Sequence, residues 1–257
     1  AGVLMGRPLR RRLGGRVRGL FSGGAPAAPA LFRFFESLGI PFVELYGMSE
    51  TCGLISSNLF SGDRRPGSAG FLSPDQEVRF AADGELLLRG PLLGSYLEEE
   101  DACSAFTDDG FFRTGDLARL DPDGRLWVQG RKKHVLVLSS GKKLAPEPIE
   151  TAIASAWPFE GAVLVGEGRP FVAAAVFVAR EEVSRLEAQG LDVAKVLLPQ
   201  ARAALSAFSE YEKPRRLVVI PGSPQDHPAL VTPTLKVKRE ALAESIRPLL
   251  EQVYAEA

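Results

Sequence analysis

The run "LFSGGAPAAPALFRFFESLGIPFVELYG", residues 20–47, constrains the fold more than any other part of this chain. An apolar stretch reaches a glycine-rich turn, a helical pattern follows, and a second apolar stretch ends in Tyr46-Gly47. Leu31, Phe34, Phe35 and Leu38 recur at helical spacing, and Gly39 closes the helix. Strand, helix and strand in immediate succession imply parallel strands with ligand-holding loops at their carboxyl ends.

Downstream the texture changes. Between residues 67 and 130, "ADGELLLRG" and "LDPDGRLWVQG" each place Asp-Gly between short apolar runs, the mark of hairpins in a small antiparallel sheet or barrel. After Arg131 the pattern mixes again. "HVLVLSS", "GAVLVG", "FVAAAVFV" and "RLVVI" read as strands and "EPIETAIASA" as a helix. Further helices are expected near 181–188 and 193–207, and a last one from about Lys238 that Pro248 bends or interrupts. The expected fold class is α/β: an α/β layer plus a small antiparallel sheet or barrel, followed by a separate α+β domain. The boundary is expected near 130–133, giving domains over 1–130 and 131–257.

Composition excludes several classes. Formal net charge is −1 over 257 residues, so nothing global favours nucleic acid as a partner. Cys52 and Cys103 stand far apart with no metal-like spacing, which fits a reducing cytoplasm. No apolar run approaches the roughly 20 residues that span a bilayer. Six arginines between Arg7 and Arg18 read first as a solvated helix end, and second as a patch for phosphate or peripheral membrane contact. Trp127 and Trp157 read as core aromatics, and His134 and His227 as structural or solvated.

Five stretches could carry chemistry. "SGGAP" at 22–26 lets backbone approach a flat ligand at Gly23, Gly24 and Ala25. "YGMSET" places an aromatic ring, hydroxyls and a carboxylate within six residues, and "FFRTGDL" puts Asp116 at a strand end. "GRKKHVLVLSSGKKLAPEPIE" crosses the expected boundary, and "LVTPTLKVKRE" is a Thr/Pro-rich loop presenting Lys236. Taken singly, each has a bland reading as a turn, a cap or a solvated charge.

Taken in order, together with "GELLLRGPLLGSY", they resemble the adenylate-forming acyl-CoA synthetase superfamily over residues 18 to 257, and most resemble its long-chain fatty acid:CoA ligases. That resemblance implies ATP, Mg2+ and coenzyme A as co-substrates and cofactors, and a fatty acid as substrate. By it, "SGGAP" is the adenine-side loop, and Tyr46, beside Gly47, stacks on adenine. Ser49 stands where the family usually has Thr and keeps the hydroxyl for the α-phosphate. Glu50 holds Mg2+ and Thr51 supports the same shell. Asp116 binds the ribose hydroxyls, and Arg131 sits beside the nucleotide. Lys133 occupies the hinge position, and Lys236 bridges the substrate carboxylate and the α-phosphate. Gly141 lets pantetheine pass close to backbone, and Lys142, Lys143 or the arginines meet CoA phosphates. The family's phosphate-gripping loop does not occur in these residues and is expected upstream, so the chain reads as the C-terminal part of a larger enzyme. Two other functions compete: an acyl-AMP ligase delivering to a carrier protein, and a non-catalytic domain that binds nucleotide or a partner.

Overall fold

Short apolar strands with alternating burial need a sheet to share, and the described residues between 20 and 131 supply eight of them. The computed structural model describes residues 2–59, 62–91, 93–94 and 105–255, with residues 2–5 described by backbone only. Cys103 and much of "GPLLGSY" lie outside the described residues. The chain divides into two compact units, residues 1–133 and 134–257.

In the first unit the strands are β1 (Leu20–Gly23), β2 (Phe42–Met48), β3 (Gly53–Ser57), β4 (Gly70–Leu72), β5 (Glu77–Phe80), β6 (Glu85–Arg89), β7 (Phe112–Leu120) and β8 (Arg125–Arg131). They form one sheet in the order β1-β2-β3-β4-β8-β7-β6-β5. Among the described residues of this sheet only β1 and β2 pair in parallel, so the parallel pair and the antiparallel strands are continuous. The two Asp-Gly turns close hairpins β5–β6 and β7–β8, with Gly84 at φ +86° and Gly124 at φ +82°. Ile55, Leu86, Leu88, Ala118 and Leu126 form the core of this sheet.

Helix α1 (Gly2–Arg12) ends in Arg10, Arg11 and Arg12, cations that suit the negative end of the helix dipole. Helix α2 (Pro29–Ser37) begins with a proline in its first turn. Its packed side meets the sequence expectation in part: Leu38 is buried and Phe35 stacks on Phe42. Phe32 is buried against Phe42, while Leu31 and Phe34 are exposed. Both sides of this helix are apolar, so periodicity could not choose between them.

The second unit is built on β12 (Ala173–Val178), every residue of which is buried. It pairs antiparallel with β11 (Phe159–Val165) and parallel with β13 (Arg216–Pro221). Strand alternation sends Ala174, Val176 and Val178 to one face, where α3 (Pro146–Ala154), α4 (Arg180–Ala188) and α5 (Val193–Ala203) cover them with Ile149, Ile153, Leu186 and Leu197. Ala175 and Phe177 point the other way, against Leu242 and Ile246 from α6 (Arg239–Ser245) and its C-cap. The last helical stretch is broken at Ile246 and resumes as α7 (Arg247–Ala255), with Pro248 in its first turn where the missing N–H costs nothing. "HVLVLSS" contributes only β9 (Leu136–Val137), paired with β10 (Lys143–Leu144). Trp157 is 69% exposed at the turn before β11 and belongs to no core, contrary to its sequence reading. Among the described residues no helix is long and apolar enough to cross a membrane.

Candidate active site

β2 ends where the sheet changes from parallel to antiparallel, and the site grows from that end. Gly23 pairs in register with Leu45, so the turn at Gly24, with φ +82°, starts beside the last residues of β2. Gly47 sits at an irregularity in the β2–β3 pairing. A Cβ there would lie 1.7 Å from the Gly53 carbonyl oxygen, so only glycine allows the two strands this close. A tight turn follows over Ser49–Thr51, closed by Cys52 in the left-handed region at φ +50°. Thr51 is fully buried, and its hydroxyl donates towards the Met48 and Gly53 carbonyls and accepts from the Met48 amide. It shapes the turn from inside, and that leaves Ser49 exposed and Glu50 half-buried at the surface.

Tyr46 and Asp116 meet although 70 residues separate them. The Tyr46 hydroxyl donates to Asp116 Oδ2 at 2.6 Å, and Arg131 Nε lies 2.7 Å from Oδ1. Asp116 and Arg131 are opposite each other in the β7–β8 register. Gly115, at φ +68°, and Thr114 set the strand's turn: Thr114 donates to Leu86 O at 2.7 Å and accepts from the Asp116 amide at 3.1 Å. Asp116 is 4% exposed. Burial, and then the Asp116 carboxylate, push the Tyr46 phenol well above its ordinary range. The outcome is a neutral phenol and a buried carboxylate held in place by the Tyr46 hydroxyl and the Arg131 guanidinium.

Two carboxylates not singled out from the sequence support this cluster. Glu85, 3% exposed, accepts from the Gly115 amide at 3.2 Å and from Lys132 Nζ at 2.9 Å. Lys132 also reaches Asp83 at 2.6 Å, while the neighbouring Lys133 is exposed. Glu44, 7% exposed, accepts from the Ala27 and Gly67 amides at 3.4 and 3.1 Å, and burial raises its pKa. It thereby ties β2 to the end of the "SGGAP" turn. The signal was present: a lone Glu within the apolar run "FVELY".

Mg2+ is tested by its donors. Among the described residues the Glu50 carboxylate has no hydrogen-bond or ion-pair partner, and no group of three or more His, Cys, Asp or Glu could cage an ion. A single hard carboxylate fits an ion held jointly with substrate phosphates.

The second unit carries Gly141 and Lys236. Gly141, at φ +79°, turns the β9–β10 hairpin, its amide donating to Leu138 O at 2.8 Å. Beside it lies a cavity of about 460 Å3 lined by Lys142, Leu198, Arg202, Glu210, Tyr211, Arg215 and Arg216. Lys142 Nζ stands 4.7 Å from the centre of the Tyr211 ring. Lys236 is exposed on a tight loop bridged by Val231 and Val237. The Thr232 amide donates to Lys236 O at 2.8 Å, the Lys236 amide to Thr232 Oγ1 at 3.1 Å, and Leu235 takes φ +62°.

Comparison with known proteins gives the family and the fold. The AMP-binding enzyme family matches residues 4–95, and the AMP-binding enzyme C-terminal domain matches residues 133–257. The long-chain-fatty-acid–CoA ligase FadD15 of Mycobacterium tuberculosis is 34% identical over 98% of this chain, which spans 44% of that relative's length. Among solved structures, the adenylation domain of a carboxylic acid reductase from Segniliparus rugosus, in complex with AMP and a co-purified carboxylic acid, has a TM-score of 0.80 at 24% identity. The match covers 98% of this chain and 42% of that one. The corresponding domain of a carboxylate reductase from Mycobacterium chelonae has a TM-score of 0.78 at 26% identity, covering 96% and 40%. The chain belongs to the AMP-binding, adenylate-forming enzymes, and within them it resembles the long-chain fatty acid:CoA ligases.

Proposed function

We propose that this chain serves an ATP-dependent fatty acid:CoA ligase that converts a long-chain fatty acid to acyl-AMP and then to the CoA thioester. The observation that carries the reading is the Tyr46–Asp116–Arg131 cluster, a ring and a buried carboxylate held together at one end of the sheet. Tyr46 stacks on adenine, Asp116 accepts from the ribose hydroxyls, and Ser49 donates to the α-phosphate. Glu50 holds Mg2+, which neutralises phosphate charge when bound. Lys236 stabilises charge developing between the attacking carboxylate and the α-phosphorus, and a fixed cation is worth most where charge develops. Residues 131–257 act as the domain that turns about Lys133 between the two half-reactions. The cation-lined cavity beside Gly141 suits the phosphates of CoA.

Delivery to CoA is favoured over delivery to a carrier protein. Carrier-directed relatives tend to carry an insertion near the domain junction, whereas here Asp116 to Arg131 is one hairpin with a tight turn at Asp121–Gly124. The test is to measure the two half-reactions separately in the full-length protein carrying this chain. Lys236→Ala is expected to abolish acyl-AMP formation from palmitate and ATP and to spare thioester formation from supplied palmitoyl-AMP. Equal loss in both would refute the assignment of Lys236.

A further inference from the structure

Arg239 opens α6 just after the Lys236 loop, and its guanidinium forms a two-pronged ion pair with Glu150 on α3. Nη1 donates to Glu150 Oε1 at 2.7 Å and Nη2 donates to Oε2. Glu150 is 8% exposed, and its Oε1 also accepts the Leu164 amide of β11 at 2.7 Å. One helical turn earlier, Glu147 Oε1 lies 3.9 Å from Arg239 Nη2 and 2.5 Å from His134 Nδ1. The other Glu147 oxygen is buried without a hydrogen-bond partner among the described residues.

Stability alone is a poor account of this arrangement. A largely buried ion pair loses in desolvation much of what it gains in attraction, and apolar side chains of similar volume do as well or better. Two parallel bonds between planar groups do something apolar packing does not: they fix the orientation of the guanidinium, and with it the first residue of α6. The loop before Arg239 is stiff. Val231 and Val237 bridge, the Lys238 amide donates to Leu230 O at 2.8 Å, and Leu235 is held in the left-handed region. A stiff loop with one clamped end presents its lysine in one place.

We infer that Arg239, gripped by Glu150 and Glu147, is the positioning residue for Lys236, with α3 as the frame to which the lysine loop is referenced. The inference rests on the role of Lys236 in adenylation proposed above. Its test therefore begins with Lys236→Ala in the full-length protein and continues with Arg239→Gln, Arg239→Lys and Glu150→Gln. A reacting group displaced by about 1 Å loses about a hundredfold in rate, so Arg239→Gln is expected to lower kcat for acyl-AMP formation by about that factor. The KM for ATP and the thioester half-reaction from supplied palmitoyl-AMP stay at wild-type values. Arg239→Lys keeps the charge but loses one charged hydrogen bond, and it recovers all but about tenfold. The Arg239→Gln/Glu150→Gln double variant falls no further than either single one, as partners in one interaction should.

Wild-type adenylation in both Arg239 variants, with Lys236→Ala inactive, overturns the inference alone. Equal loss in both half-reactions also overturns it, since a merely structural role predicts that pattern. Full adenylation by Lys236→Ala overturns the inference together with the reading on which it rests. Should Arg239→Gln fail to fold, Arg239→Lys decides by the same two half-reactions.

Discussion

Replacing Tyr46 by Phe removes one hydroxyl and leaves the ring, which separates the two tasks assigned to this residue. The lost hydrogen bond is short, 2.6 Å, and ends on a carboxylate that is 4% exposed. Bonds to a charged partner contribute about 1.5–3 kcal/mol net. Arg131 keeps its hold on the other oxygen, so the carboxylate is not stranded, and a loss of about 2 kcal/mol is expected. Urea unfolding followed by Trp127 fluorescence reads the first unit directly, in a Trp157→Phe background that alters only an exposed side chain. The effect also has a pH signature. The phenol is raised above the ordinary value of 10.0, so the unfolded chain ionises first and wild-type stability falls as pH rises above about 10. Tyr46→Phe removes that part of the fall. AMP affinity should hardly change in Tyr46→Phe, whereas Tyr46→Ala should lose about 1–3 kcal/mol of stacking. A stability loss below about 0.5 kcal/mol, within the range of ordinary surface changes, would refute the bond's place in the site.

Three further outcomes are expected. Gly47→Ala should destabilise the first unit by about 3 kcal/mol in guanidinium melts, because the new Cβ meets Gly53 backbone at 1.7 Å; an unchanged midpoint would mean the strands stand further apart. Tyr254→Phe strips a hydroxyl placed 3.1 Å from Val165 O and 3.3 Å from Phe171 O, costing the second unit about 1 kcal/mol. Burial pushes that phenol up to about 12, so wild type should lose stability between about pH 10 and 12 and the variant should not. Glu44 keeps its proton to higher pH than an unfolded Glu does, so wild-type stability should fall more than that of Glu44→Gln as pH rises above 4.5. Identical pH slopes in urea would show that Glu44 is not desolvated.

Local chemistry was legible in the sequence, and long-range partnership was not. Gly84 and Gly124 turn where Asp-Gly said they would, because a positive φ is a local demand. Periodicity found α2 and half of its packed side, Phe35 and Leu38, but missed Phe32 in favour of the exposed Leu31 and Phe34. "HVLVLSS" looked like a full strand, yet the chain turns back just after Leu138, where the Gly141 amide donates to Leu138 O. Tyr46, Asp116 and Arg131 could each be named from their motifs. That the phenol and the guanidinium divide the two oxygens of one carboxylate is a long-range contact between β2 and β7, strands that the sheet order separates by three others, so no local motif announces it. The Arg239–Glu150 clamp is similarly silent in sequence, because 89 residues separate its ends.

Leu235 carries a consequence for engineering. It is 57% exposed, so its side chain gains little from burial, and it sits at φ +62°, where an L-residue with a branched chain pays about 1–2 kcal/mol. Asn tolerates that backbone region far better. A screen that selects for melting temperature alone would therefore favour Leu235→Asn. Such a screen would see only the gain, because the residue it alters is exposed and stands next to Lys236, which the loop presents to solvent. Thermal selection at this position should be paired with a rate measurement, since stability gained next to a reactive side chain commonly trades against activity.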